Sequence, residues 1–548
     1  MPTTQLNKKE VQKLLGRHLS DNELKDRTSY LGLEVVSIKG NNLTLEINPD
    51  RPDLLSEQGF SRALSSFLGI KTGLRKYEVK DSGCHLIADN TLKDIRPYTV
   101  CAIVKDIKLD SNKIKEIINI QEKLHSNFCR NRKKAAIGIY PLDKVKMPIL
   151  FTAMPVRKIR FRPLGMKHEM HAKDILAKHP AGKEYGHLLA GLKSYPVFID
   201  AADNILSMPP IINSEIAGKV TKRSKNLFIE CSGNDINILH KCLNIIVTAL
   251  ADMSASIYSI RITYPNKTIV TPDLKPRKMS LNRDYVNKVL GLNLDNKQIK
   301  HMLNKMGLDY QNSKALIPAY RTDIIHQIDL VEDIAIAYGY NNIKPELPKV
   351  ATIAEENQIE VLRNKLASIL TSLGLLETNT YHLINKEDSK KKTFIKDSLV
   401  ELESSVSMEY NALRSSLLPS LLKVLNMNKH HVYPQDIFEI AKVFKKQKDD
   451  VLENYNLCVA LCNRQADFTR IKQILDALST ELGLQLSITD STHPSFIHGR
   501  TAAVKARGKS IGIMGEIHPE VLSNFELEMP VSLFEINIEA LLSIIKGL

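Results

Sequence analysis

Ile317-Pro318-Ala319-Tyr320-Arg321-Thr322-Asp323-Ile324-Ile325-His326-Gln327-Ile328-Asp329-Leu330-Val331-Glu332-Asp333-Ile334-Ala335-Ile336-Ala337-Tyr338-Gly339-Tyr340 carries the sharpest polar pattern in a chain of 548 residues. On a helix Asp329, Glu332 and Asp333 stand at i, i+3 and i+4, so three carboxylates share one face, and Asp323 arrives from the preceding turn. Like charges packed this closely repel unless a cation or a basic partner offsets them. An all-oxygen ligand set suits Mg²⁺, which keeps several waters and accepts a few carboxylates. A solvated acidic face near a helix N-terminus, where the helix dipole already favours anions, explains the same spacing. Spacing alone leaves these two readings even.

Around this stretch the chain punctuates itself. The Pro-rich segment Thr271-Pro272-Asp273-Leu274-Lys275-Pro276-Arg277 reads as a linker. Helices are expected over Asp284–Leu290 and Asn296–Met306, the second ended by Gly307. The stretch above supplies a third helix, and Pro345-Glu346-Leu347-Pro348 closes a compact, helix-rich module. Upstream, the strand Leu43-Thr44-Leu45-Glu46-Ile47 runs into Asn48-Pro49-Asp50-Arg51-Pro52-Asp53, whose prolines delay the next helix. Leu54, Leu55, Phe60, Ala63, Leu64, Phe67 and Leu68 then form an apolar stripe, with Gly69 at the left-handed C-cap. From about 85 to 260, β-rich runs such as Tyr98–Val104 and Leu227–Glu230 alternate with helical stretches such as Lys113–Leu124, an α+β signature. Downstream of 350, an amphipathic helix (Ile359, Leu362, Leu366, Ile369, Leu370) precedes alternating strands at Asp436–Ile440 and Val531–Ile536. An antiparallel sheet flanked by helices is expected there.

Composition narrows the class. With 43% hydrophobic and 25% charged residues the chain has globular composition, and its length calls for about three to five domains. No run of about 18 apolar residues and no apolar N-terminal segment occurs, so a soluble, non-exported protein is expected. The seven cysteines (Cys84, Cys101, Cys129, Cys231, Cys242, Cys458, Cys462) form no CxxC pair and read as reduced thiols rather than a disulfide framework or zinc module. The net charge of +15 makes a polyanionic partner such as nucleic acid a candidate. The basic cluster Arg130, Arg132, Lys133 and Lys134 reads first as a solvated loop and second as a phosphate contact. His168, His171, His179 and His187 lack metal-binding helical spacing and read as loop and pocket-wall residues.

A second constellation joins Leu206-Ser207-Met208-Pro209-Pro210-Ile211-Ile212-Asn213 to Glu230-Cys231-Ser232-Gly233-Asn234-Asp235. Two loops bearing Ser, Glu and Asn can line a polar pocket, although loops of this composition are commonly only loops. There is no phosphate loop of the GxxxxGK[ST] kind and no HExxH.

Taken together and in order, the motifs Asn48–Leu55, Ser207–Asn213, Ile317–His326 with Asp329–Tyr340, Met408–Pro419 and Gly515–Leu522 resemble the phenylalanyl-tRNA synthetase beta subunit of the archaeal and eukaryotic type, over essentially the whole chain. The resemblance implies a multidomain α+β fold. Its parts would be an N-terminal mixed α/β unit (1–84), an α+β tRNA-editing domain (85–268), a winged-helix-like helix-rich module bearing the metal carboxylates (269–348), and a class II synthetase-like antiparallel sheet with flanking helices (349–548). It also implies a cytoplasmic α₂β₂ enzyme that joins phenylalanine to tRNA(Phe). ATP and phenylalanine would bind the alpha subunit, and no membrane would be involved. The last domain would be catalytically silent and would pair with alpha: where an active core has a glycine-rich motif ending in an ATP-binding Arg, this chain reads Gly515-Glu516-Ile517-His518-Pro519-Glu520. The oligonucleotide-binding barrel and anticodon-binding domain of bacterial chains are not expected in this length.

The family also implies hydrolysis of tRNA wrongly charged with tyrosine. A pocket shaped for phenylalanine rejects an isostere with one added hydroxyl only weakly. A second site that offers the phenol a partner inverts the test, since phenylalanine would leave that partner desolvated and unpaired, at about 1 to 3 kcal/mol. By match to the family, Glu230 is that acceptor, Ser207 and Ser232 position the ester or the attacking water, and Phe198 belongs to the ring-binding wall. The family pattern more often has Asp and Thr where this chain has Glu230 and Ser232, and Thr where it has Asn234. Asp323, Asp329, Glu332 and Asp333 match the family's magnesium position shared with alpha. Two other classes stay open: a purely structural partner of alpha with a degenerate pocket, and a stand-alone nucleic-acid-binding protein built on the winged-helix-like module.

Overall fold

In the computed structural model, which describes residues 3–351, 353–448 and 450–546, the chain divides into two compact units, Met1–Leu347 and Pro348–Leu548. Among the described residues no helix is long and apolar enough to cross a membrane.

The first unit begins with a three-stranded antiparallel sheet in which Asn42–Glu46 lies between Thr3–Asn7 and Glu34–Lys39. The Asn48–Asp53 turn follows. Arg51 holds Asp53 by two hydrogen bonds of 2.9 Å, and Pro52–Leu54 forms a single 3₁₀ turn. The helix expected from Leu54 therefore starts at Glu57, where the Ser56 hydroxyl caps it by accepting from the Gly59 N–H at 2.9 Å. Gly59 is required by close approach: a Cβ there would lie 1.7 Å from the Asp53 carbonyl oxygen.

The large sheet has ten strands. From one edge they run Ile212–Asn213, Ile205–Met208, Ser194–Ile199, Ile149–Pro155, Val79–Ala88, Ser256–Tyr264, Tyr98–Lys105, Leu227–Gly233 and Ala135–Pro141, with Lys267–Thr271 also paired to Ser256–Tyr264. The sheet thus begins at Val79 rather than 85. Its first strand carries a bulge beside Gly83, whose φ of +68° breaks the alternation that marks a strand in sequence. The helices Ser111–Ser126 and Ile236–Asp252 cover one face.

The 269–348 stretch contains the helices Arg283–Leu290, Asn296–Lys305 and Gln327–Tyr338. It also contains a three-stranded sheet not evident in the sequence, Arg277–Ser280, Lys314–Ile317 and Asp309–Gln311, whose strands have only three or four residues each. One hydrophobic core runs continuously from Leu6 and Leu45 through Leu243 and Leu250 to Val286 and Ile334, so the three expected N-terminal domains form one packed body.

The second unit is built on a seven-stranded sheet: Leu376–Glu377, Gln435–Gln447, Asp450–Cys462, Val531–Asn537, Lys509–Ile517, Phe496–Ala506 and Leu486–Asp490. All neighbours are antiparallel except the first pair. Leu362, Leu366 and Leu370 of the helix Gln358–Ser372 enter its core, as their spacing predicts.

Candidate functional sites

Strand Leu227–Gly233 lies between two others, with Glu230 opposite Cys101 on one side and Gly138 on the other. This central position buries Glu230 almost completely. Its Oε1 accepts from the Tyr140 hydroxyl at 3.2 Å, whereas Oε2 is buried without a hydrogen-bond partner. Burial raises its pKa from the ordinary 4.5 to about 8, against the opposing pull of Arg96, Tyr140 and Ser232. The acid is therefore neutral at pH 7 and can both accept and donate. Room for it depends on Gly138, since a Cβ there would stand 2.5 Å from Oε1 and 2.3 Å from the Tyr140 hydroxyl.

Ser232 follows two residues on, so its side chain emerges from the same face. Its hydroxyl receives a hydrogen bond from Arg96 Nε at 3.1 Å, and Arg96 Nη2 donates to its carbonyl oxygen. Burial pulls the Arg96 pKa down to about 10, partly countered by Glu230. Ser207 pairs across the sheet with Phe198 on one side and Asn213 on the other. Its buried hydroxyl lies beside the Tyr140 phenol but makes no hydrogen bond of ordinary geometry. Tyr140 can also donate to Asn213 Oδ1, at 3.3 Å, so Glu230, Tyr140, Asn213, Ser207 and Phe198 form one connected cluster. A cavity of about 400 Å³ opens beside it along the edge strand Ala135–Pro141, with Glu230, Asn213, Ile137, Pro210 and Arg132 on its walls. Phe198, Ser207 and Ser232 do not line that cavity. Phe198 is wholly buried and stacks on Phe151 with ring centroids 4.2 Å apart.

The basic cluster is more than a solvated loop at one position. Arg130, Asn131 and Arg132 all adopt left-handed φ values, 48°, 50° and 64°. That turn directs Arg132 inward, where Nη1 donates to the carbonyl oxygens of Pro210 (3.2 Å) and Ile211 (2.9 Å) and Nη2 to Glu122 (3.1 Å). The free edge of the strand Ala135–Pro141 is covered from the helix Ser111–Ser126: Gln121 donates to the Ile137 carbonyl at 2.8 Å, and the Ile137 N–H donates to His125 Nε2 at 2.9 Å. Of the loop histidines, His179 caps a helix through Ala181 N and bonds the Leu164 carbonyl oxygen.

The four carboxylates of the opening stretch do not converge. Asp323 and Asp333 both lie on the Arg321 guanidinium, at 2.6 and 2.9 Å, with Arg51 3.9 Å from Asp323. Burial alone would raise Asp323, but Arg321 and Arg51 hold its pKa down at about 2; burial dominates at Asp333 and raises it. Asp329 Oδ2 caps the helix by accepting from the N–H groups of Ile325 and His326, each at 2.7 Å. Glu332 is exposed. Among the described residues no three His, Cys, Asp or Glu side chains are placed to hold a metal. This chain's four carboxylates alone therefore do not fit a Mg²⁺ chelate, and Arg321 is the basic partner of two of them, Asp323 and Asp333. The Thr322 hydroxyl reaches the Asp50 carbonyl oxygen at 3.3 Å, which docks the Asn48–Asp53 turn onto this network.

A family model described as the phenylalanyl tRNA synthetase beta chain CLM domain matches residues 343–538, and the tRNA synthetase B5 domain matches 279–340. Phenylalanine–tRNA ligase beta subunits of Pyrococcus horikoshii and Methanocaldococcus jannaschii are 40% and 38% identical, each over 98% of this chain and over 99% and 100% of their own. The chain belongs to the phenylalanine–tRNA ligase beta-subunit family. A crystal structure of an N-terminal fragment of the Pyrococcus horikoshii phenylalanyl-tRNA synthetase beta subunit matches with a TM-score of 0.59 and 41% identity, over 62% of this chain and 99% of the fragment. In this beta-subunit family member Arg321, Asp323, Asp329 and Asp333 fall within the B5 match, whereas Arg51 and the Glu230 cluster lie outside both family models.

Arg96, Tyr140, Gly138 and Arg132 are the members of the Glu230 site that the sequence reading missed. Arg96 and Ser232 are 136 residues apart, and neither Arg96 nor Tyr140 belongs to a motif of its own. Asn213 stood inside a quoted motif, and only the register with Ser207 reveals its place.

Proposed function

We propose that this chain is the beta subunit of a cytoplasmic phenylalanine–tRNA ligase, assembled as α₂β₂, in which ATP and phenylalanine bind alpha. This chain supplies the pairing surface, helps place tRNA(Phe) and hydrolyses tRNA(Phe) that carries tyrosine. A non-synthetic role is supported by how the second unit uses its polar groups. Glu439 is engaged by Arg414 and Thr380, Glu535 by Ser416, Asn456 and the Leu417 N–H, and Glu516 by Arg500 and the Phe468 N–H. Each of these acids already has partners within the fold.

The observation that carries the editing reading is the unpartnered Oε2 of Glu230, a buried acid among the residues that line a cavity. An unsatisfied buried polar atom costs about 1 to 3 kcal/mol, and the phenol of tyrosine relieves that cost where phenylalanine cannot. Tyr140 holds the acid by its hydrogen bond, and Gly138 leaves room for both. A water attacks the ester carbon, the bond to the ribose oxygen breaks, and that oxygen takes a proton; the neighbouring ribose hydroxyl is available to assist. No side chain of this chain is assigned as general base. Mg²⁺ stays in the proposal only as an ion shared with alpha, which would add ligands to the exposed Glu332 and to the oxygen of Asp329 outside the cap.

Co-expression with alpha tests the assembly. The pair is expected to co-purify and to charge tRNA(Phe) with phenylalanine, with neither chain active alone. Mg²⁺ is expected to leave the melting temperature of the isolated chain unchanged and to raise that of the pair. Charging by alpha alone at the rate of the pair would overturn the reading.

A further inference from the structure

The helix Glu57–Phe67 is buried on two stripes, and the second is polar: Gln58, Ser61, Arg62 and Ser65, spaced i, i+3, i+4 and i+7, are 6%, 2%, 7% and 5% exposed. Polar side chains at buried positions are ordinarily hydrogen-bonded. Here they face a cavity of about 160 Å³ that Lys71 and Arg75 also line. Three polar atoms of these lining residues, Gln58 Oε1, Ser61 Oγ and Arg75 Nη1, are buried without a hydrogen-bond partner.

The charges around it do not balance. Arg62 is satisfied by Asp252 at 2.7 Å and the Tyr77 hydroxyl at 2.8 Å, and it stacks 3.8 Å over the Tyr320 ring. Asp252, the one acid on the wall, is thereby neutralised and also accepts from Tyr77 at 3.0 Å. Arg75 is half-buried with no salt-bridge partner among the described residues, and burial lowers its pKa against the pull of Asp252; Lys71 adds a solvent-exposed cation at the rim. Water would satisfy the orphaned polar atoms but would not offset the charge. Arg75 also borders a cavity of about 800 Å³ lined by Lys76 and Lys275 as well as Asp273 and Asp309.

We propose that the cavity between the helix Glu57–Phe67 and the Lys71–Arg75 loop binds a phosphate group, free or carried on a larger molecule. Arg75 Nη1, the Ser61 hydroxyl and the Gln58 amide, after a flip that exchanges its oxygen and nitrogen, donate to its oxygens, and Lys71 supplies the second charge. Nothing in the Glu230 site or the Arg321 network requires these residues.

The test titrates the full chain with sodium phosphate, against sodium chloride of equal ionic strength, and follows the phosphorus NMR line and the melting temperature. Saturable broadening and a rise in melting temperature beyond that in chloride are expected in the wild type. Arg75→Gln should weaken phosphate binding by about tenfold or more, and Arg470→Gln, an exposed change in the second unit, should not alter it. Arg75 Nη1 has no hydrogen bond to lose, so the fold should survive; Ser61→Ala, which removes an unpartnered hydroxyl, gives a second variant with the same expected direction. Displacement of phosphate by bulk tRNA would support the site and assign it to a nucleic-acid phosphate, whereas indifference to tRNA would support it as a site for the free ion. Equal responses to phosphate and chloride, or equal phosphate binding in the wild type, Arg75→Gln and Ser61→Ala, would overturn the proposal.

Discussion

Glu230→Gln is expected to stabilise the folded chain, by a few kcal/mol at pH 8 and by little near pH 5. The sign follows from the raised pKa of about 8. In the unfolded chain the acid ionises above about pH 4.5, whereas in the fold it holds its proton to about pH 8. Between those values the unfolded state binds fewer protons, so wild-type stability falls as pH rises, at up to about 1.4 kcal/mol per pH unit. Glutamine has the same shape and no charge to expose. Tyr140 can still donate to its carbonyl oxygen, and its amide nitrogen takes the place of an oxygen that already lacks a partner. The chain contains no tryptophan, so urea unfolding at pH 5, 6.5 and 8 is best followed by circular dichroism. A difference between the two proteins that does not change with pH would count against a neutral Glu230. A buried acid that lowers stability at neutral pH has the character of a functional group rather than a packing one.

The second large effect belongs to the other unit. Arg414 and Glu439 are among its most buried side chains, at 0% and 1% exposure, with Nη1 and Oε1 2.9 Å apart. Arg414 Nη1 also donates to the Thr380 hydroxyl at 2.6 Å and Nε to the Lys442 carbonyl oxygen at 2.9 Å, while Nη2 has no partner. Glu439→Ala strands the guanidinium in a dry interior and is expected to cost about 3 to 5 kcal/mol. Replacing both partners, Arg414→Met with Glu439→Leu, removes the charge along with its counter-charge and is expected to cost much less. Urea unfolding of the single and double variants measures the difference. A double variant as unstable as Glu439→Ala would mean that the hydrogen bonds to Thr380 and Lys442, not the buried charge, are what the pair maintains.

What the sequence made legible was local. Proline and glycine placement, capping residues and apolar stripes located the helices Glu57–Phe67, Arg283–Leu290 and Gln358–Ser372 to within a few residues, because those signals act over one or two turns. The same locality is why the spacing of the carboxylates left two readings even. The i, i+3, i+4 spacing of Asp329, Glu332 and Asp333 is present in the helix, but their environments diverge: Asp329 caps the N-terminus, Asp333 turns inward to Arg321, and Glu332 faces solvent. Arg51 reaches the same network from about 270 residues away, and no period in the sequence announces it. The Glu230 site was partly legible for a related reason. Two of its strands carried recognisable motifs, but Tyr140, which donates to Glu230, and Arg96, which lies on Ser232 and opposes the upward pull of burial on the Glu230 pKa, are visible only through register and packing. The 130–134 cluster was legible as basic. Three consecutive left-handed residues, not composition, turn Arg132 inward.

The most direct test of the central claim is the single-turnover release of amino acid from tRNA(Phe) carrying tyrosine or phenylalanine, using the chain co-expressed with alpha. Wild type is expected to release tyrosine faster by roughly 5- to 150-fold, the ratio that corresponds to about 1 to 3 kcal/mol. In Glu230→Ala that ratio should collapse toward one while phenylalanine charging persists. Equal release of the two amino acids by wild type, or an undiminished ratio in Glu230→Ala, would contradict an editing site at Glu230 and leave this chain the roles of assembly and tRNA placement.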